Sequence, residues 1–166
     1  MKKVKRLLSV LAVMLLIACM AVPVSAAGKI SKSKATLLTG QTLQLKLSGT
    51  KGKTKWTSSK KSVATVSGSG KVTAKKSGSA TITAKVGKKK YTCKVTVESP
   101  KLSKKSLTLK VGKTSTIKVK GTKQTVKWKS SKKSVATVKN GKITAKKAGT
   151  ANITATVLGK KFTCKV

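Results

Sequence analysis

The stretch Trp56-Thr57-Ser58-Ser59-Lys60-Lys61-Ser62-Val63-Ala64-Thr65-Val66 returns as Trp128-Lys129-Ser130-Ser131-Lys132-Lys133-Ser134-Val135-Ala136-Thr137-Val138. The shift is 72 residues, and 10 of the 11 positions are identical. Such a repeat decides the architecture before any local signal does, because every copy must bury its own apolar face or share one with its neighbour. One small unit has been copied in tandem, so the chain must fold as two nearly equivalent modules.

Within a copy every local signal is strand or turn. Leu43, Leu45 and Leu47 alternate with Thr42, Gln44 and Lys46, which predicts one half-buried strand. Ile117 and Val119 repeat it. Thr54-Lys55-Trp56 and Val126-Lys127-Trp128 put each Trp on an inward face. Val72 and Ala74 alternate with Lys71 and Thr73. Ala80, Ile82, Ala84 and Val86 form the longest alternating strand, matched by Ala151, Ile153, Ala155 and Val157. Gly87-Lys88-Lys89-Lys90 reads as a turn, and Tyr91, Cys93, Val95 and Val97 share one face of a closing strand. By the same parity Phe162 points inward. Further turns fall at Gly40, Gly52, Gly70 and Gly78.

The repeat shift drops from 72 to 71 between Ser67-Gly68-Ser69-Gly70 and Lys139-Asn140-Gly141, a change that a turn tolerates and a strand would not. Asn-Gly between two alternating runs is a two-residue hairpin signal. Six or seven short strands per unit, spaced by Gly turns, predict an all-β chain of two tandem β-sandwiches. The expected core includes Trp56, Trp128, Cys93, Cys164, Ile82 and Ile153. Repeat one is placed at 28–98 and repeat two at 99–166. Ser99-Pro100 forms a joint too short to let the units tumble freely. Each unit, at about 70 residues, sits near the lower limit for a self-sufficient core, so marginal stability is expected.

Residues 1–26 read as a secretory signal peptide and lie outside the fold. Lys2, Lys3, Lys5 and Arg6 are the basic start, 7–22 is apolar apart from Ser9, and Val24-Ser25-Ala26 offers a cleavage site. An alternative processing signal, Leu16-Ile17-Ala18-Cys19, would leave Cys19 lipidated. Removing the four cations of 1–26 from the 40 leaves 36 lysines against one acid, Glu98, a net charge of +35. No segment after 26 is apolar enough to span a membrane. The expected product is exported and held at the surface or released.

Catalysis and metal binding are disfavoured by composition. The sequence has no His, no Asp and a single Glu, so general acid–base work lacks its usual groups. Ser58-x-x-Lys61 and Ser130-x-x-Lys133 match the spacing of some serine acyl-enzymes, but the helix and partner motifs that give it meaning are missing. Gly52-Lys53-Thr54 and Gly112-Lys113-Thr114 imitate the end of a phosphate-binding loop, without its earlier Gly. One carboxylate cannot build a calcium site, and single Cys residues in separate units cannot build a zinc site. No catalytic residue, metal ligand or cofactor is expected. Cys93 and Cys164 read as small buried hydrophobes, with an intermolecular disulfide as the alternative.

The lysines remain. Lys60, Lys61, Lys75, Lys76, Lys88, Lys89 and Lys90 cluster at turns, with Lys132, Lys133, Lys146, Lys147, Lys160 and Lys161 as their copies. They are candidate contacts for anionic wall polymers, lipid surfaces or extracellular DNA. No Arg follows residue 6, and Lys is a hydrated point charge without the bidentate fork that recognises phosphate geometry. Contact with a polyanion should therefore be diffuse and salt-sensitive, with no specific nucleic-acid recognition.

The order of motifs resembles the bacterial immunoglobulin-like domains of group 2. The residues that carry it are Gly40, Trp56-Thr57-Ser58-Ser59, Val63-Ala64-Thr65-Val66, Gly70-Lys71-Val72-Thr73-Ala74, Gly78-Ser79-Ala80-Thr81-Ile82-Thr83-Ala84 and Cys93-Lys94-Val95, all repeated between Gly112 and Val166. The resemblance implies an immunoglobulin-like sandwich used in surface and secreted proteins as stalk, spacer or adhesive module. It implies no catalytic residues, and partners among host or cell-surface ligands. One departure is visible. The first closing strand runs on through Thr96-Val97, whereas the second reaches only Val166, its Val95 counterpart. The last strand of repeat two is expected to be short, and a chain that is a piece of something longer would account for it.

Overall fold

A computed structural model describes residues 27–166, so the signal and lipidation readings of 1–26 lie outside the described residues. Every regular element is a strand. Repeat one holds β1 (Lys29–Ile30), β2 (Lys34–Leu38), β3 (Thr42–Gln44), β4 (Leu47–Ser48), β5 (Lys55–Ser58), β6 (Ala64–Val66), β7 (Lys71–Ala74), β8 (Gly78–Val86) and β9 (Lys89–Glu98). Repeat two holds β10 (Lys101–Leu102), β11 (Thr114–Thr116), β12 (Val119–Lys120), β13 (Lys127–Ser130), β14 (Ala136–Lys139), β15 (Lys142–Ala145), β16 (Asn152–Val157) and β17 (Lys160–Lys165).

In repeat one a four-stranded sheet, β2-β9-β8-β5, faces a three-stranded sheet, β3-β7-β6, and β1 pairs with β4 beside them. Repeat two has β13-β16-β17 facing β11-β15-β14, with β10 paired to β12. The core of repeat one takes Leu37, Val95 and Ile82 from the first sheet and Val72, Ala74 and Ala64 from the second. Side chains from two inner faces meeting in one cluster make a sandwich. Repeat two has its own cluster around Ile117, Ile143, Ile153 and Cys164, and the two share no residue. Ile82 and Ile153 are fully buried, each contributing about 1.5–3 kcal/mol of apolar burial.

Three local expectations need correction. The alternating Leu43–Leu47 run is not one strand. It breaks at Leu45, where β3 ends on one sheet and β4 begins on another. Leu45 itself is buried and donates its N–H to the Gly70 carbonyl at 3.0 Å. Gly70 can receive it because it has no Cβ: one built there would lie 2.6 Å from the Leu45 carbonyl oxygen and 2.9 Å from the Trp56 ring. Ile117 and Gly141 repeat the arrangement at 2.9 Å. Such sheet changes raise the strand number from the expected six or seven to nine in repeat one and eight in repeat two. Finally, the hairpin between β8 and β9 turns on Gly87 and Lys88 alone, so Lys89 and Lys90 belong to β9.

The Asn-Gly signal gives the expected two-residue hairpin. Asn140 and Gly141 have φ of 50° and 82°, and Lys139 stands opposite Lys142. Positive φ at both central residues matches the right-handed twist of the flanking strands.

Candidate functional site

Two of the three serines in each copy of the repeated motif are held by the backbone. The Ser58 hydroxyl donates to the Ala64 carbonyl at 2.6 Å and accepts the Lys60 N–H at 3.3 Å. Ser130 does the same with Ala136 and Lys132, at the same distances. Ser59 and Ser131 accept the N–H of Thr81 and Asn152, each at 2.9 Å. The motif thus pins the crossing from one sheet to the other, and no Lys ammonium takes part. That role was not foreseen from the sequence. A serine pair beginning two residues after an inward Trp, the pair itself copied without change, was the available signal.

Trp56 and Trp128 are half-buried and pack against their core clusters. Tyr91 and Phe162 are half-buried as well. Cys93 and Cys164 are fully buried, free, and in different cores. Burial pushes the Cys93 thiol up against the opposing field of Lys32, and pushes Cys164 up against Lys104. Both are therefore kept neutral and unreactive at ordinary pH. Among the described residues no three His, Cys, Asp or Glu come together.

All thirteen candidate lysines are exposed. The fold sorts them by position along the strands. Lys75 and Lys76 both donate backbone N–H groups to the Val63 carbonyl, and Val63 bonds back to Lys60. Lys60, Lys61, Lys75 and Lys76 therefore gather at the start of β8. Lys88, Lys89 and Lys90 sit at its far end. With nine residues in β8, the ends lie about 27 Å apart at ~3.4 Å per residue. That exceeds a Debye length of about 8 Å at physiological salt, so the two groups act separately.

The joint reunites some of them. Across it, the Gln41 side-chain amide donates to the Leu158 carbonyl at 2.8 Å, and the Lys160 ammonium donates to the Thr39 carbonyl at 3.1 Å. The Gln41 side chain also accepts the Leu38 N–H, and its backbone carbonyl accepts the N–H of Ala74, the residue before Lys75. The start of β8 in repeat one thus faces the β16–β17 hairpin of repeat two. Lys60, Lys61, Lys75 and Lys76 are brought to the same joint as Lys160 and Lys161. Lys132, Lys133, Lys146 and Lys147 stay at the far end of repeat two, where Lys146 and Lys147 bond the Val135 carbonyl.

Glu98 closes the joint. Its carboxylate accepts the Thr122 hydroxyl at 2.5 Å, the Gln124 amide at 3.3 Å and the Lys123 N–H at 3.4 Å. Gly121, at φ 79°, lets repeat two approach: a Cβ there would sit 2.5 Å from the Ser99 carbonyl oxygen. Pro100 is buried beneath it. The only acid outside 1–26 thus ties the repeats together.

Comparison with known proteins agrees with this geometry. The sequence profile of the bacterial Ig-like domain (group 2) matches residues 26–95 and 96–166. No curated protein sequence matches the chain. Among solved structures, a C-terminal 282-residue fragment of intimin in complex with the translocated intimin receptor (Tir) intimin-binding domain is 17% identical, covers 84% of this chain and 61% of that one, and superposes with a TM-score of 0.53. A mutant intimin of EHEC O157:H7 is 29% identical over 47% of this chain, with a TM-score of 0.40. The S-layer protein rSbsC(31-844) is 21% identical over 85% of this chain, with a TM-score of 0.37. This chain spans 51% of that intimin structure and 27% of the S-layer structure. Two adjacent profile matches, lying on two strand-built units with separate cores, carry one conclusion: the chain belongs to the bacterial Ig-like domains of group 2 and holds two copies in tandem.

Proposed function

We propose that this chain is an exported, non-catalytic module that works at the cell surface or outside the cell as a structural or adhesive spacer. The observation that carries the reading is the joint. A spacer must transmit position, and here side chains from both repeats bond across a linker of Ser99 and Pro100. Family membership supports it, since these domains recur in surface and secreted proteins. So does the intimin fragment, whose own complex with a receptor domain gives the adhesive part a precedent in this fold. Export rests on the reading of 1–26.

Small-angle scattering tests the spacer. The unmodified chain should give one extended pair-distance distribution, and the Gln41→Ala, Glu98→Ala double variant a broader one. Equal breadth in both would remove the joint as a rigid element. A hydrolase turnover panel should give no activity above buffer.

A second reading follows from the six lysines at the joint: a polyanion-binding module for anionic wall polymer, lipid surface or extracellular DNA. Lys75, Lys76, Lys160 and Lys161 changed together to Gln should weaken heparin or teichoic acid binding more than Lys88, Lys89 and Lys90 changed together. Binding should fall steeply with salt, since Lys–phosphate contact acts through counterion release. No binding at low salt would sink this reading and leave the spacer intact.

A further inference from the structure

The outer face of the sheet β2-β9-β8-β5 carries an arrangement that repeat two does not copy. Side chains alternate between the two faces of a sheet. Trp56, Ala84 and Tyr91 stand opposite one another on the inner face. One position along, Lys55, Lys85 and Lys90 stand opposite one another on the outer face, and all three are exposed. Residues directly opposite have Cβ atoms about 4.5–5.5 Å apart, and like charges so placed are destabilising. Three adjacent strands thus hold three ammoniums in one row.

No acidic side chain relieves that row. Glu98, the one acid in the sequence, lies eight residues along β9 from Lys90. That is about 27 Å at ~3.4 Å per residue, well beyond a Debye length of about 8 Å. The next outward row is Thr57, Thr83 and Thr92, which places hydroxyl groups about 7 Å from the lysines. Repeat two departs at one position. Its row is Lys127, Thr156 and Lys161, with a neutral residue on the middle strand where repeat one has Lys85. Its two cations are separated by two strand spacings, about 9–10 Å.

We propose that Lys55, Lys85 and Lys90 form a site for a compact multivalent phosphate, of which pyrophosphate is the simplest. A single Lys is a point charge with no fork to match phosphate geometry. Three on adjacent strands are different, because their flexible stems let three charges converge on one group that has an oxygen for each. Binding replaces mutual repulsion with attraction, so the gain is greatest where the charges are crowded and no acid competes. The row lies toward the far end of β8 from the joint. The inference therefore goes beyond the polymer reading at the joint, and either can fail without the other.

The probe is inorganic pyrophosphate, titrated into the isotope-labelled full chain against sodium chloride at matched ionic strength. Saturable shifts of the Lys55, Lys85 and Lys90 signals are expected. Lys85→Thr gives repeat one the row of repeat two, and Thr is a good strand former on an exposed face. It should weaken binding at this row about tenfold, the scale of one unit charge a few ångströms from a multivalent anion in water. It should also raise the melting temperature of repeat one at low salt, by removing the central charge, and cancel the further rise that pyrophosphate gives the parent. Thr156→Lys should create a second site of similar affinity between Lys127 and Lys161. Equal affinity of the parent and Lys85→Thr at this row would overturn the proposal. So would a Thr156→Lys chain whose repeat two binds no better than before. A parent response that sodium chloride reproduces in full would do the same, because the lysines would then be screened and not bridged.

Discussion

Ser130→Ala isolates the duplicated motif. Ser130 is 6% exposed, and its hydroxyl donates to the carbonyl of Ala136, which is fully buried. Ladder bonds alternate along an antiparallel strand. The Val135 carbonyl takes the neighbouring bond from Lys146, so the Ala136 carbonyl points away from β15 and toward Ser130. The substitution removes one oxygen and opens almost no cavity, so its cost is that of a buried acceptor left without a donor. That cost is about 1–3 kcal/mol. In a domain of this size each kcal/mol moves the melting temperature by about 4–8 °C, so a fall on the order of 10 °C is expected for repeat two. Urea unfolding followed through resolved amides of β14 and β15 reads it without interference from repeat one. Ser134→Ala, an exposed serine of the same motif, is the control and should stay within about 0.5 kcal/mol of the parent. Ser58→Ala should shift repeat one instead. If Ser130→Ala and Ser134→Ala unfold together, water satisfies the Ala136 carbonyl and the reasoning fails.

Gly141→Ala should cost more than Gly40→Ala. Both have positive φ, but a Cβ on Gly141 would run into the Ile117 carbonyl while one on Gly40 meets nothing within 4 Å. The left-handed conformation alone accounts for about 1–2 kcal/mol in each, and thermal unfolding of the two variants gives the difference. Cys93 and Cys164 should resist alkylation until the chain opens, so the labelling rate should track added urea; rapid labelling of the native chain would contradict their burial. Their raised folded thiol pKa stabilises the native state fully below the unfolded value of 9.0 and loses that contribution as pH rises through the folded value. The stability gap between the parent and Cys93→Ser should accordingly be constant below pH 9.0 and narrow above it. Added salt should raise the melting temperature, because it screens lysine repulsion that one acid cannot offset; a flat response would show that repulsion is not limiting.

Local residue pattern was enough to give the two copies, the all-β class, the inward Ile82, Ile153, Cys93 and Cys164, and the Asn140-Gly141 hairpin. These are properties of local period and of a residue's own backbone freedom, and both are written within a few positions. The break at Leu45 emerges only in the folded chain, because it depends on Gly70 arriving from a distant turn. The fold alone showed that Ser58 and Ser130 are tied to carbonyls six residues on. It also sorted thirteen similar lysines into separate ends and one shared joint, a matter of strand length and domain contact that composition does not carry. Glu98 shows the division most clearly. As a sequence feature it was a lone acid in a field of Lys. In the fold it bonds Thr122, Lys123 and Gln124 across the joint. Local pattern can say that a strand alternates, but only the assembled domains show what the residue at its end is bonded to.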